Sequence, residues 1–247
     1  NKKFDLIVSD NRYGFRCAAA KTVLITHQLE PIPPWLLRLG MPVLRRFLRN
    51  TYEAFSEVWV PDYKDFPGLA GKLSHPMAVV PNAKYIGPLS RFEKSIHSDA
   101  ERQVNSILVI ASGPEKHRIQ MAEKLSVMLA ETGLQVTIAG ADCKRNFQNI
   151  TCLKSASDEL LGKLIAETGI IISHAGYSTL MDLFSAGRSA IIFPTHGQTE
   201  QKYLADFHKD CFVTVSNVNG VLRKLSSITS ITEILKQKEI RLKSRIK

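Results

Sequence analysis

Short apolar runs recur along the 247-residue chain, separated by longer amphipathic or polar stretches. Residues 4–9 (FDLIVS), 21–26 (KTVLIT) and 58–60 (VWV) read as buried strands, with residues 79–80 as a fourth. Residues 107–111, 134–139, 151–153, 169–172 and 190–193 continue the series. Runs this short and this continuous, spaced by helix-length segments, predict parallel strands covered on both faces. The segment 115–132 predicts a helix, with Ile119, Ala122, Leu125 and Leu129 on one face. Pro114 suits its first position and Gly133 its end, while Ser157 should cap a further helix over 158–168. Alternating strands and helices predict an α/β protein with doubly wound sheets.

The stretch 174–205 (HAGYSTLMDLFSAGRSAIIFPTHGQTEQKYLA) is one strand–helix–strand unit whose first turn carries ligand chemistry. Gly176 lets a backbone approach a ligand closely. Ser178, Thr179 and the first helical amides can hold phosphate oxygens, since a helix start presents N–H groups and positive potential. His174, just before the turn, can donate to a diphosphate. Asp182, one turn into the helix, can accept from both hydroxyls of a ribose. Ser112-Gly113 is a second strand-to-helix turn able to cradle phosphate, with His117 and Arg118 close behind. Each feature also has a plain structural reading. Thr179-x-x-Asp182 resembles a capping box, Gly187 a helix C-cap, and His174 a loop histidine.

The stretch 174–205 resembles the donor-binding signature of GT-B nucleotide-sugar glycosyltransferases, in particular glycosyltransferase family 28, whose bacterial members include an N-acetylglucosaminyltransferase. The resemblance implies a GT-B fold of two Rossmann-like domains. It implies that His174, Gly176, Ser178 and Thr179 contact the donor phosphates, with Ser112 and Gly113 closing on them. Asp182 stands where the family has a ribose-binding Glu, one methylene longer. Gln201 stands where a Gln contacts the donor sugar, in a loop that also holds His196, Thr199 and Glu200. Ser189 departs from the usual Pro. The glycine-rich opening strand and loop of the first domain are not found, so that domain is expected to be incomplete. Residues 1–90 are its remainder, 91–105 a linker, 106–230 the UDP-sugar-binding domain, and 231–247 a basic helix or tail.

Composition adds little to this. Hydrophobic residues at 44% and charged residues at 23% are ordinary for a globular protein. No apolar run nears the ~20 residues of a membrane-spanning helix. Cys17, Cys143, Cys152 and Cys211 form no C-x-x-C pair, which argues against zinc and suggests free thiols in a reducing cytoplasm. The net charge of +10 suits a phosphorylated ligand or an anionic membrane. No nucleic-acid motif accompanies it. The segment 34–50 (PWLLRLGMPVLRRFLRN) mixes bulky apolar residues with four arginines, and Gly40 and Pro42 should divide it into two short helices. A crossover helix with one buried face is the first reading and an interfacial helix the second.

The expected function is therefore transfer of a sugar from a UDP-sugar, with UDP-N-acetylglucosamine the favoured donor, to a hydroxyl of a lipid-linked or cell-envelope glycan. No cofactor and no metal are expected, and the chain should sit in the cytoplasm or on the inner face of the membrane. Asp10 and His27, at strand ends, are weak candidates for the general base. Two rivals are a donor-binding subunit inert without a partner chain and a UDP-sugar 2-epimerase on the same fold.

Overall fold

A computed structural model describes residues 4–92 and 102–246. The chain divides into two compact units, Asn1–Leu89 and Ser90–Lys247. Most of the expected linker, residues 93–101, lies outside the described residues.

The first unit is a four-stranded parallel sheet: β1 (Leu6–Asp10), β2 (Lys21–Ile25), β3 (Glu57–Val60) and β4 (Ala83–Tyr85), in that order. A 3-10 helix, Trp35–Gly40, and α1, Met41–Glu53, connect β2 to β3. The division at Gly40 and Pro42 follows the expectation, with Pro42 in the first turn of α1, where a missing N–H costs nothing. The expected strand at Val79–Val80 does not form. Pro81 has no N–H to give a ladder, so pairing begins at Ala83, and Val79 is 82% exposed. Between β3 and β4 the buried Asp62 accepts from the amides of Tyr63, Leu69 and Ala70 and from the Ser74 hydroxyl. A carboxylate so satisfied can be buried, and it folds the 62–74 loop around itself.

The second unit is a six-stranded parallel sheet. Its strands are β5 (Gln103–Ile110), β6 (Gln135–Ala139), β7 (Ile150–Leu153), β8 (Thr168–His174), β9 (Ile191–Phe193) and β10 (Val213–Thr214). They lie in the order β10-β9-β8-β5-β6-β7. Chain order runs outward from β5 in one direction and from β8 in the other. The boundary between β5 and β8, where Ile110 faces Ser173, is thus a topological switch point. The helices are α2 (Glu115–Leu129), α3 (Asp158–Glu167), α4 (Tyr177–Ser185), α5 (Thr199–Phe207), α6 (Val218–Leu225) and α7 (Ile228–Ile246). Ser157 caps α3 by accepting from the Leu160 amide, as expected. Pro114 falls one position earlier than expected, at the N-cap of α2.

One further expectation is corrected. A disulfide joins Cys143 to Cys152, leaving only Cys17 and Cys211 as free thiols. The pairing follows from sheet adjacency, because Cys152 lies on β7 and Cys143 in the loop leading to it from β6. Of the two readings of the C-terminal segment, helix or tail, the helix is the one observed. Ile231, Leu235 and Leu242 of α7 are buried, and its Glu239 receives Arg188 Nε at 3.0 Å and Arg102 at 2.8 Å. Arg188 is itself buried and also donates to the carbonyls of Ile165, Ala166 and Thr168. Burial pulls its pKa down to about 10 while Glu239 opposes the shift. Replacing Glu239 by Ala would strand a buried cation. Urea unfolding of Glu239→Ala should therefore show a loss of about 3–5 kcal/mol in the second unit.

Candidate donor site

The site is built at the switch point. All seven residues of β8 are buried, so the strand ends rigidly at His174. Ala175 pairs its amide with the Phe193 carbonyl of β9, and Gly176 is the N-cap of α4 with no side-chain cap. Ser178 and Thr179 occupy the second and third helical positions, so Thr179-x-x-Asp182 lies inside the helix and is not a capping box. Ser178 is exposed to solvent. Thr179 is buried and donates to the Ser112 hydroxyl at 3.1 Å. That bond ties the start of α4 to the turn after β5, where Gly113 has φ +95°. The two turns that the sequence singled out separately are thus one structure.

His174 is 6% exposed, packs edge-on against Phe193 at 4.8 Å, and leaves Nδ1 without a hydrogen-bond partner among the described residues. Burial, and beyond it the neighbouring His117, push its pKa down to about 4. His117 therefore belongs to the electrical surroundings of the site. Arg118 turns away to the Gly140 carbonyl at 2.8 Å, at the end of β6.

Asp182 is placed differently from a free ribose acceptor. It is buried, and its Oδ1 accepts from Ser90 Oγ (2.9 Å) and the Arg91 amide (3.1 Å). Its Oδ2 accepts from Arg91 Nη2 (2.8 Å) and Nε (3.2 Å). Four donors fill the lone-pair positions of a carboxylate. Arg91 also reaches Asp158 at 3.3 Å. Sequence reading gave Ser90 and Arg91 no role, because a side chain 91 residues away from its carboxylate leaves no local pattern.

After β9, Gln201 of α5 accepts from the Thr195 amide at 2.8 Å, which shapes the loop bearing His196, Thr199 and Glu200. His196 is exposed, while Thr199 and Glu200 are half-buried at the start of α5. In the first unit, Asp10 ends β1 and is exposed, and His27 follows β2 and is half-buried. Both stand at the same, carboxyl edge of that sheet, since Asp10 pairs with Ile25.

An unsatisfied buried imidazole thus stands beside a helix start and two hydroxyl-bearing turns, groups whose chemistry suits an anion. Solved structures place the whole chain among GT-B proteins. MurG of Acinetobacter baumannii aligns with 14% identity over 91% of this chain and 62% of its own, TM-score 0.52. The kitacinnamycin glycotransferase aligns with 12% identity over 97% and 72%, TM-score 0.57. SnogD from Streptomyces nogalater aligns with 12% identity over 97% and 68%, TM-score 0.52. At such identities the likeness shows the fold alone, the GT-B fold of two Rossmann-like domains, and the chain spans 62% to 72% of these proteins' lengths. No curated protein matches by sequence. Residues 142–239, all within the second unit, match the glycosyltransferase family 28 C-terminal domain.

The low pKa of His174 has a thermodynamic consequence. Its folded value, about 4, lies below the ordinary 6.5, so the fold favours the neutral ring. The unfolded chain then binds the extra proton between those values, and stability rises with pH through that window. Acidification from pH 7 to 4 should cost up to about 3 kcal/mol through this residue. Denaturant titrations at stepped pH should show that slope in the parent and a flatter one in His174→Gln.

Proposed function

We propose that the second unit binds a UDP-sugar and that the whole protein transfers the sugar to a hydroxyl of a lipid-linked or cell-envelope glycan. The observation that carries this is the unpartnered Nδ1 of the buried His174 at the mouth of α4. A buried polar atom without a partner costs stability unless something else fills the valence, and a diphosphate oxygen is suited to do so. The family 28 domain match over residues 142–239 supports the same reading. UDP-N-acetylglucosamine is the favoured donor.

In the proposed reaction the acceptor oxygen attacks the anomeric carbon. The bond from that carbon to the diphosphate breaks, and UDP departs with the electron pair. Negative charge grows on the diphosphate, where a neutral His174 N–H, the Ser178 hydroxyl, the Ser112 hydroxyl that Thr179 holds in place, and the positive end of α4 stabilise it. A general base takes the acceptor proton. Gln201 and its loop would meet the sugar hydroxyls. Asp182 would take the ribose once Arg91 withdraws, because its carboxylate has no lone pair to spare while Arg91 is bound. The exposed apolar and basic surface of α1 supports attachment to the inner face of a membrane.

Calorimetric titration of UDP tests the donor site. The parent should bind, and His174→Ala should weaken binding by about 1–3 kcal/mol. Asp182→Ala should weaken it similarly, whereas Arg91→Ala, which frees the carboxylate, should tighten it. No UDP binding by folded parent protein would sink the donor reading. Unchanged affinity in a folded Asp182→Ala would make that residue an anchor for residues 90–92 alone.

A further inference from the structure

The Cys143–Cys152 bridge joins residues nine apart where β6 and β7 end, and nothing in the donor chemistry uses it. The loop that it fastens has few other holds. Between Ala141 and Gln148 the main chain makes one hydrogen bond among the described residues, from the Ile150 amide to the Phe147 carbonyl. Two ion pairs, Lys144 to Glu123 at 3.2 Å and Lys154 to Asp142 at 4.0 Å, rely on exposed lysines and hold little. Asp142, Lys144, Arg145, Asn146 and Gln148 all face solvent. With so few contacts, the order of this loop rests on its covalent link.

The root of the same loop belongs to the donor crevice. Gly140 donates its amide to the carbonyl of Leu153, next to Cys152, at 2.8 Å. Its own carbonyl accepts from Arg118 Nη1 at 2.8 Å, the one hydrogen bond of that side chain, whose buried Nε has no partner among the described residues. A Cβ on Gly140 would stand 2.2 Å from the carbonyl oxygen of Ala111, immediately before the Ser112–Gly113 turn. A shift of the loop root therefore reaches both the floor of the crevice and the first turns of α2. Both bridged cysteines are half-buried, within reach of a dissolved thiol. In a reducing compartment such a bridge is a reversible signal and not a permanent brace.

We propose that the Cys143–Cys152 pair is a thiol–disulfide switch on donor affinity. The bridged form holds the 140–149 loop and the crevice floor in the state that takes nucleotide, and the dithiol form frees the loop and weakens binding. Reduction breaks the S–S bond. A cellular dithiol supplies two electrons and two protons, becomes a disulfide itself, and leaves two thiols on this chain. Exchange with an oxidised disulfide reverses both changes. The inference rests on the donor reading of the second unit.

The test equilibrates the full chain in glutathione buffers from reduced to oxidised, with alkylation and mass analysis counting the thiols. The pair should interconvert while the circular dichroism spectrum stays unchanged. Calorimetric titration then compares the two forms, and UDP should bind the dithiol roughly fivefold more weakly, the low end of coupling between sites. Trypsin should cut after Lys144 and Arg145 faster in the dithiol form. Cys143→Ser should bind UDP as the dithiol does in every buffer, whereas Cys17→Ser should respond like the parent. Equal UDP affinity in the two forms would overturn the switch and leave the donor site standing. Equal cleavage rates, or a bridge that opens only as the chain unfolds, would overturn it too. UDP binding by neither form would remove the donor reading, and the switch with it.

Discussion

The second unit depends on the place where β5 and β8 lie side by side and their following helices leave to opposite sides. Such a junction cannot be closed by main chain, because the two connections diverge and leave a crevice at the strands' carboxyl ends. Here the crevice is spanned by one side-chain contact, Thr179 to Ser112. Its floor is held close by glycine: a Cβ on Gly140, at the end of β6, would sit 2.2 Å from the Ala111 carbonyl oxygen. His174 enters from β8, a strand with no exposed residue, so its ring has no freedom to find a partner elsewhere. Rigid burial accounts for both the unsatisfied nitrogen and the depressed pKa.

The residues around this crevice are divided between ligand chemistry and anchoring. Asp182 and Arg188 both come from the segment that first drew attention, and both are tied to distant chain. Asp182 holds Ser90 and Arg91, and Arg188 holds Glu239 of α7, which in turn meets Arg102. One helix with its exit turn therefore organises the chain on each side of residues 93–101 as well as the C-terminal helix. Gly187, at φ +63°, allows the reversal that brings Arg188 inward. The motif's acidic residue thus carries structural work that its position within the motif does not reveal.

Much of this was legible in the sequence where local physics dominates. Eight of the nine anticipated strand positions lie within or overlap observed strands, because runs such as 107–110 and 169–172 are apolar throughout and have no other means of being buried. Ser157 and Gly133 act as caps because capping is decided within four residues. What escaped reading was set by chain neighbours far apart in sequence. β10 has two residues and exists because it lies beside β9. The Cys143–Cys152 bridge needs β6 and β7 adjacent. The four donors on Asp182 arrive from the end of the first unit's connection. Val79 and Val80 show the converse error, where β-branched residues suggested a strand that Pro81 prevents from pairing.

The segment 34–50 shows most clearly what a hydrophobic pattern leaves undecided. Amphipathicity states that a helix has an apolar face and not what covers it. In α1 only Leu48 and Tyr52 are buried, and Tyr52 is further held through its hydroxyl to the Leu29 carbonyl at 3.0 Å. Val43 and Phe47 face solvent on the same helix. The expectation of a crossover helix with one buried face therefore holds for one end of α1 and fails for the other. A helix that needed only to cover the sheet could place polar residues at 39, 43 and 47 without loss. Bulky apolar groups at those positions, interleaved with arginines, keep an uncovered surface that is costly in water.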